Sequence, residues 1–397
     1  MTAMSAPVLT GLDRIAQGDE SVLRLLRGRR LGLCAHPASV DRRLRHARFV
    51  LQDAGLSVHA LFGPEHGYGG EAQDMISVGD AAVSGVRDVP VHSLYGASPD
   101  ALSPSAEQLA GLDAIVVDLQ DVGSRYYTFV WTAVLVLRAA SRAGIPTIVL
   151  DRPNPLGAEI VEGGPQRPGY RSFVGLCDVA VRHGLTIGEL CKRAQRLGAI
   201  DAAALHVVPM QGYHRELAFE STGLPWVLPS PNMPSLETAR VYPGGCLLEG
   251  TNLSEGRGTT RPFEIWGAPF LDAARLAERV QADGCVLRPL SFTPTFHKHA
   301  GERCFGVQVH ITDARVFRSY TLYLRLIAQA RRSCSEHFRW RTATYEFVSD
   351  RRAIDLLTGG PEFRTLVDAD QPLDAWLEAD AAAARRFEQE RAADFLY

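Results

Sequence analysis

The stretch "DAIVVDLQDVGSRYYTFVWTAVLVLRAASRAGIPTIVLDRPN", residues 113–154, decides the fold. It opens with a short apolar run over 113–121, which is typical of a strand that is buried on both faces. A helical pattern follows over 127–143 and ends at Gly144, and a second strand pattern covers 146–154. Strand, helix and strand in this order predict a right-handed crossover between two parallel strands.

The same alternation extends on both sides of this stretch. Further helical patterns cover 42–54 and 186–197, and each is followed by a glycine. Further strand patterns cover 30–36, 57–63, 90–96 and 205–210. The sequence therefore predicts an α/β fold with a doubly wound parallel sheet. Ligands bind such sheets at the carboxyl ends of the strands, where the polar segments "GPEHG", "LQDVGSRYY" and "DRPNPLG" lie.

A change of composition marks the C-terminal part. The segment from Leu224 to Gly245, "LPWVLPSPNMPSLETARVYPGG", contains five prolines, too many for the interior of a helix or strand. We therefore expect a domain junction near Tyr242, between residues 1–241 and 242–397. Beyond it the patterns predict a helix over 269–283, strands over 285–292 and 304–312, a long helix over 314–332 and two shorter helices. Because these elements do not alternate regularly, they indicate a smaller α+β domain.

Charge and apolar runs exclude several classes of function. The formal net charge is -3, which gives no polybasic signal for nucleic acid. No apolar run approaches the roughly 18 residues that span a bilayer, and residues 1–18 show no export signal. The seven cysteines are scattered without CxxC spacing, which is typical of reduced thiols. We expect a cytoplasmic protein that binds neither nucleic acid nor membrane.

The segment "FGPEHGYGGEAQD", residues 62–74, allows three interpretations. Its glycines and Ala72 match the dinucleotide pattern GxGxxA. That motif needs a helix directly after the glycines, whereas residues 71–85 have poor helical periodicity. Glu65 and Glu71 would also place carboxylates beside the phosphates, so nucleotide binding is disfavoured.

A catalytic metal is the second interpretation. Two ligand sets are available, namely Glu65 and His66 with Asp118 and Asp121, or the pair His297 and His299 on one predicted strand face. Because no HExxH motif is present and isolated histidine pairs are commonly surface residues, we predict no metal.

The third interpretation makes Glu65 a general acid. The preceding proline and the following glycines fix its backbone, and Phe62 and Tyr68 make its surroundings partly apolar. Burial of this kind raises a carboxyl pKa toward neutrality, as a proton donor requires. The alternative is that Glu65 caps a turn or pairs with an arginine, and local chemistry leaves both open.

Other polar segments supply further candidates. A helix beginning near Ser124 would present free N–H groups beside Arg125 and form an anion site, although Arg125 could instead neutralise Asp121. The glycine-rich segment "LLEGTNLSEGRGTT", residues 247–260, is expected to close on a ligand or to be a solvated surface hairpin.

Three further side chains have both a structural and a functional interpretation. Tyr126 could stack on a sugar face, and Asp151 and Asn154 follow a strand, where such residues often only form turns. No GxSxG motif is present, so an acyl-enzyme mechanism lacks support. Carboxylates, arginine and aromatic rings on one rim suit a glycoside that carries an acid group.

Taken together, these residues resemble the exo-acting β-N-acetylmuramidases, a bacterial family of glycoside hydrolases formerly known as a domain of unknown function. Six segments carry the resemblance in family order from about residue 30 onward. They read "FGPEHGYGGEAQD", "DLQDVGSRYYT", "DRPNPLGAEIVEGG", "LPSPNMPSLETARVYPG", "LLEGTNLSEGRGTTRPFEIWGAP" and "HKHAGERCFGVQVHITD".

The resemblance implies a Rossmann-like N-terminal domain without a nucleotide, a C-terminal accessory domain and an active-site cleft between them. It implies that non-reducing terminal N-acetylmuramic acid is removed from peptidoglycan-derived saccharides, with no cofactor and with Glu65 as catalytic acid. A sugar-binding protein without catalysis and a metal-dependent hydrolase are the alternatives. The oligomeric state and the stereochemical course stay open.

Roles for the other candidates follow from the expected substrate. Glycosidases normally use a second carboxylate, for which we expect Glu249, with Asp121 as the next candidate. The lactyl carboxylate of muramic acid requires a cation, and we expect a bidentate contact from Arg125 or Arg257. We expect His66 and Asn154 to bond sugar hydroxyls or the acetamido group.

Overall fold

The computed structural model describes residues 7–80, 89–200 and 204–397. Two predictions fall partly outside the described residues. They are the lack of an export signal, for residues 1–6, and the lack of a helix after the glycines, for residues 81–85. A six-stranded parallel sheet has the order β3-β2-β1-β4-β5-β6. Its strands are β1 (Arg30–Ala35), β2 (Ser57–Gly63), β3 (Val91–Ser93), β4 (Ala114–Asp118), β5 (Thr147–Leu150) and β6 (Leu205–Val208). This Rossmann-like strand order confirms the predicted α/β class.

The central strand β4 shows why short apolar runs form this sheet. All five of its residues are buried. Ala114 and Val116 belong to one hydrophobic cluster and Ile115 and Val117 to the other. Alternate side chains of a strand point to opposite faces, so a continuous apolar run supplies a core on each side of the sheet.

Helices cover both faces of the sheet. They are α1 (Gly11–Ala16), α2 (Glu20–Leu26), α3 (Ala47–Asp53), α4 (Ala106–Leu109), α5 (Phe129–Arg142) and α6 (Ile187–Arg196). The predicted start of α5 near Ser124 is wrong. Ser124 forms an antiparallel bridge with Arg182, and the Arg125 N–H donates to the Val181 carbonyl, so the chain cannot turn into the helix there.

The C-terminal part is α+β, as predicted. It contains an antiparallel sheet of order β7-β9-β8, with β7 (Ile265–Ala268), β8 (Cys285–Phe292) and β9 (Cys304–Ile311). Its helices are α8 (Ala273–Arg279), α9 (Ser319–Ser333), α10 (Ala353–Thr358), α11 (Glu362–Asp368) and α12 (Asp374–Glu390). Strand β7 was not predicted, and three helices follow α9 where two were expected.

A helix occupies the place of the expected domain junction. Helix α7 (Leu236–Gly245) contains Pro243 in its last turn. The hydroxyl of Ser319 in α9 donates to the Val241 carbonyl at 2.6 Å and accepts from the Gly244 N–H at 2.9 Å. The neighbouring helix therefore satisfies backbone groups at the proline, which is why the proline does not end the helix as expected.

Contacts between distant parts of the chain hold the two sheets together. One hydrophobic cluster includes Val117 of β4 and Tyr323 of α9. The C-terminal Tyr397 donates its hydroxyl to Asp151 after β5 at 2.9 Å and accepts from the Met210 N–H after β6. Among the helices of residues 7–80, 89–200 and 204–397, none has the length and apolar character needed to cross a membrane.

Candidate active site

Loops from both parts of the chain line a narrow cavity of about 30 Å³. The segment after β2 and the segment before α5 supply one wall. The opposite wall comes from the residues after α7 and from a tight turn before α10. The principal side chains that line the whole cavity are Glu65, Asp74, Thr128, Glu249, Arg257 and Glu346.

Glu65 enters the cavity from the carboxyl end of β2. Only 6% of its surface is exposed. The Thr128 hydroxyl donates to Glu65 Oε2 at 2.6 Å, and the Met75 N–H donates to Oε1 over a longer 3.4 Å. His66 has a φ of +70°, which makes the backbone turn sharply after Glu65. The shorter of the two hydrogen bonds comes from the Thr128 side chain, so the alternative in which Glu65 only caps a turn does not describe its main contact.

Asp74 and Glu346 join Glu65 in a group of three carboxylates. One oxygen from each lies within 4.8 Å of an oxygen from the other two. Asp74 faces the Arg257 guanidinium at 3.3 Å. The positive charge that faces Asp74 is therefore the guanidinium of Arg257.

A tight turn places Glu346 in the cavity. Tyr345 and Val348 exchange backbone hydrogen bonds of 3.0 and 2.9 Å, and φ is +45° at Glu346 and +67° at Phe347. Two central residues with positive φ are the signature of a type I′ turn, which normally requires asparagine or glycine. The Tyr95 hydroxyl donates to Glu346 Oε2 at 3.1 Å. Burial raises the pKa of Glu346 well above its usual range, and the charges of Glu65 and Asp74 raise it further.

Arg257 organises the opposite wall. Its Nη2 donates to Glu249 Oε1 at 2.6 Å and its Nε donates to Glu255 Oε1 at 3.0 Å. Glu249 also accepts from the Tyr345 hydroxyl at 2.8 Å. Burial raises the pKa of Glu249, and the charge of Asp74 adds to this effect while Arg257 opposes it. The Nε and Nη2 atoms of Arg257 are therefore held by carboxylates of the protein, and its expected bidentate contact with a substrate stays a prediction.

Glu255 supports Arg257 from behind. Lys298 Nζ lies 2.9 Å from Glu255 Oε2, and His297 Nδ1 lies 2.8 Å from Oε1. Burial alone would raise the pKa of Glu255, but Lys298, His297 and Arg257 outweigh it and hold this pKa well below its usual range. Glu255 is therefore a fixed counter-charge.

The metal-ligand sets considered from the sequence are not assembled. His297 and His299 lie in a turn with positive φ, not on a shared strand face. His299 Nε2 bonds the Asn252 carbonyl at 2.8 Å. Both oxygens of Asp118 accept from Arg152, at 2.6 and 2.8 Å, so Asp118 does not join Glu65.

Arg125 does not reach the cavity, and the prediction that it binds a substrate carboxylate is wrong. Its side chain is fully buried. The guanidinium donates to the backbone carbonyls of Gly164, Val179 and Leu357. Arg125 thus connects the loop after β5 to the end of α10.

Asp121 and Asn154 also hold loops instead of lining the cavity. Asp121 Oδ2 accepts from the Gly123 N–H at 2.8 Å. Asn154 accepts from the Leu156 N–H at 2.9 Å and donates to the Leu185 carbonyl at 3.0 Å. The lining of the cavity therefore supports neither Asp121 as the second catalytic carboxylate nor the expected contact of Asn154 with the sugar.

His66 and Tyr126 do line the cavity. His66 Nδ1 lies 2.8 Å from the Ala72 carbonyl, so Nδ1 donates this hydrogen bond and Nε2 can act as an acceptor. The Arg125 guanidinium lies 5.2 Å from the centre of the Tyr126 ring and covers one of its faces. Tyr126 is only 2% exposed, so little of its other face is open to a sugar.

Sequence reasoning missed Asp74, Thr128 and Glu346 as site residues. Asp74 and Thr128 close the segments "FGPEHGYGGEAQD" and "DLQDVGSRYYT", so their positions were available but their roles were not. Glu346 lies in "ATYEFVSD", where neither glycine nor asparagine signals the tight turn. No local pattern in the sequence points to Glu346.

Comparison with known proteins finds matches to both parts of the chain. The family model described as exo-beta-N-acetylmuramidase NamZ, N-terminal, matches residues 31–237, and the corresponding C-terminal model matches residues 240–397. The chain is 39% identical over 400 residues to the peptidoglycan beta-N-acetylmuramidase NamZ of Bacillus subtilis strain 168. That alignment covers all of this chain and 93% of the relative.

Solved structures show the same fold. A DUF1343 family protein from Bacteroides fragilis NCTC 9343 superimposes with a TM-score of 0.84 at 29% identity, over 98% of this chain and 99% of that one. A second DUF1343 protein from the same organism superimposes with a TM-score of 0.76 at 24% identity, over 99% of both chains, and supports the fold alone. The chain therefore belongs to the exo-beta-N-acetylmuramidase NamZ family of glycoside hydrolases, as the resemblance of its motifs predicted.

Proposed function

We propose that this chain removes the non-reducing terminal N-acetylmuramic acid from peptidoglycan-derived saccharides, with Glu65 as general acid. The observation that carries this proposal is the buried Glu65 carboxylate in a cavity lined by further carboxylates, within a chain of the NamZ family. The relative from Bacillus subtilis is named a peptidoglycan beta-N-acetylmuramidase, which supports the same substrate class.

Glycoside hydrolysis requires two functions from the protein. A carboxylic acid protonates the leaving oxygen, and a second carboxylate stabilises positive charge at the anomeric carbon or activates water. Glu65 is proposed as the acid because it is buried, lines the cavity and lies beside two further carboxylates. After the bond breaks, the Glu65 carboxylate accepts the proton of the attacking water.

Glu249 is proposed as the second carboxylate. Arg257 and the Tyr345 hydroxyl each hold one of its oxygens, which fixes its orientation. The role proposed for Arg257 is accordingly to orient Glu249. His66 is proposed to bond a sugar hydroxyl or the acetamido group through its free Nε2, and Tyr126 to pack against the sugar.

The test is release of free sugar from para-nitrophenyl β-N-acetylmuramic acid, with the β-N-acetylglucosamine analogue alongside and a chelator in the buffer. We expect turnover selective for the muramic-acid substrate, and a loss of about 100-fold or more in kcat for Glu65→Gln, since general acid catalysis contributes on this scale. Glu71→Gln is the matched control, because Glu71 lies in the same segment but is exposed. Wild-type activity that survives Glu65→Gln would refute the assignment of the acid, and a folded but inactive wild type would refute the function.

We further infer that the reaction serves the recycling of wall fragments in the cytoplasm. All seven cysteines have free thiols, and five of them are buried. Free buried thiols are typical of a reducing compartment. Cell fractionation with an antibody against the chain is the test. Detection of the chain only in fractions other than the cytoplasm would contradict this inference.

A further inference from the structure

Glu346 is a buried carboxylate that the proposed mechanism does not yet use. We propose that Glu346 and Glu65 share one proton at neutral pH, so that Glu346 sets the protonation state of the catalytic acid. Glu346 is then a positioning residue, because it affects the reaction only through the proton on Glu65. This inference rests on the proposed function of Glu65.

The distance between the two side chains is the first argument. An oxygen of Glu346 and an oxygen of Glu65 lie within 4.8 Å of each other. Glu346 is 4% exposed and Glu65 is 6% exposed, so water screens their repulsion poorly. Two carboxylates in this arrangement do not ionise independently, and the first proton they bind belongs to the pair.

The lack of a cation for the pair is the second argument. The titratable and charged groups around the pair are His66, Asp74, Tyr95, Tyr127, Glu249, Arg257, Arg341 and Tyr345. Arg257 lies against Asp74, Glu249 and Glu255, which already outnumber its single charge. Arg341 packs over the Tyr345 ring and donates to the Met75 sulfur and the Thr344 carbonyl. Among the described residues, neither arginine forms an ion pair with Glu65 or Glu346.

The hydrogen bonds of the pair are the third argument. Thr128 donates to Glu65 Oε2, and Tyr95 donates to Glu346 Oε2. The other oxygen of Glu65 has only the long 3.4 Å bond from the Met75 N–H. Each carboxylate is thus held by one hydroxyl and retains an oxygen for the shared proton.

The turn that carries Glu346 is the fourth argument. Positive φ at the non-glycine residues Glu346 and Phe347 is a costly backbone conformation, of the kind that the surrounding structure must maintain. This conformation directs the Glu346 carboxyl group into a buried cavity. In the reaction, the shared proton moves from Glu65 to the leaving oxygen as the glycosidic bond breaks. Both carboxylates are then ionised until the attacking water returns a proton to the pair.

The experiment measures kcat/KM against pH for wild type, Glu346→Gln and Tyr95→Phe on para-nitrophenyl β-N-acetylmuramic acid. In Glu346→Gln the alkaline limb is expected to move to lower pH by about one unit or more, because Glu65 then loses its proton without a neighbouring negative charge. In Tyr95→Phe the limb is expected to move to higher pH, because ionised Glu346 loses a hydrogen bond. Asp350→Asn, on the exposed end of the same segment, is the control and should leave the limb in place.

The outcomes separate proton sharing from a structural role. Opposite shifts in Glu346→Gln and Tyr95→Phe support the shared proton, whereas equal loss of activity at every pH with no shift overturns it. If Glu346→Gln does not fold, Tyr95→Phe decides alone, and an unshifted limb there overturns the proposal. A folded wild type without activity would overturn the proposed function together with this inference, while an active wild type with unshifted variants overturns this inference alone.

Discussion

Arg257 is a buried cation that contacts three carboxylates. Its guanidinium contacts Glu249, Glu255 and Asp74 at 2.6, 3.0 and 3.3 Å. We expect Arg257→Met to lower the free energy of unfolding by about 3 to 5 kcal/mol, because buried carboxylates would lose their partner. Urea unfolding measures this loss.

Two further variants make the Arg257 prediction specific. Arg257→Lys retains the charge but not the fork, so its loss of stability should be intermediate. Arg261→Met is the matched control, since Arg261 is exposed and its ion pair with Glu264 is 3.5 Å long. Similar losses in Arg257→Met and Arg261→Met would contradict this account of the buried charges.

The sequence predicted some site residues correctly and others wrongly, because it does not show which distant residues a side chain contacts. The position of Glu65 at the end of a strand followed from the apolar run before it and from the resemblance of its segment. Arg125 and Arg257 were both expected to bind substrate, but local sequence does not show which arginine already has buried partners. Those partners, such as Leu357 for Arg125, lie far away in the chain.

At the scale of elements, the contact between α7 and α9 positions one wall of the cavity. A Cβ added at Gly244 would lie 2.2 Å from the Ser319 carbonyl oxygen and 2.5 Å from the Tyr323 ring. Tyr242, two residues earlier, lines the cavity. We expect Gly244→Ala to lower the unfolding free energy by about 1 to 3 kcal/mol, because the helices must separate.

Activity provides a second measurement for Gly244→Ala. Separation of α7 from α9 displaces Tyr242, so kcat/KM should fall in addition to stability. Gly79→Ala is the control, since a Cβ there would meet no atom of the described residues within 4 Å and the φ of Gly79 is not positive. Unchanged melting of Gly244→Ala would show that the helices can adjust without cost.

Elements were predicted well where a local pattern suffices. All six parallel strands follow from short apolar runs. Strands β4 and β5 are buried throughout, while the edge strands β3 and β6 are only partly buried. Helix α7 was missed because its C-terminal turn, which contains Pro243, is held by Ser319, 76 positions beyond Pro243 by residue number. Strand β7 was missed because its pairing with β9 supplies its conformation.

At the scale of the whole molecule, the two sheets share one hydrophobic cluster. We therefore expect the whole chain to unfold in a single cooperative transition, although its length exceeds that of a usual two-state domain. Coincident thermal transitions by tryptophan fluorescence and far-UV circular dichroism are the measurement. A fragment of residues 1–241 should lack such a transition, and two well separated transitions of the intact chain would contradict the shared core.

The contact of Tyr397 with the end of β5 links the last part of the chain to the first sheet. During protein synthesis, the six strands of this sheet are complete once Val208 has left the ribosome. Residues 209–397 then require on the order of 10 to 40 s at about 5 to 20 residues per second. During that interval the growing chain exposes Asp151 and the apolar surface that the second half later covers. Newly made chains are therefore open to chaperone binding or aggregation at this surface before the active-site cavity exists.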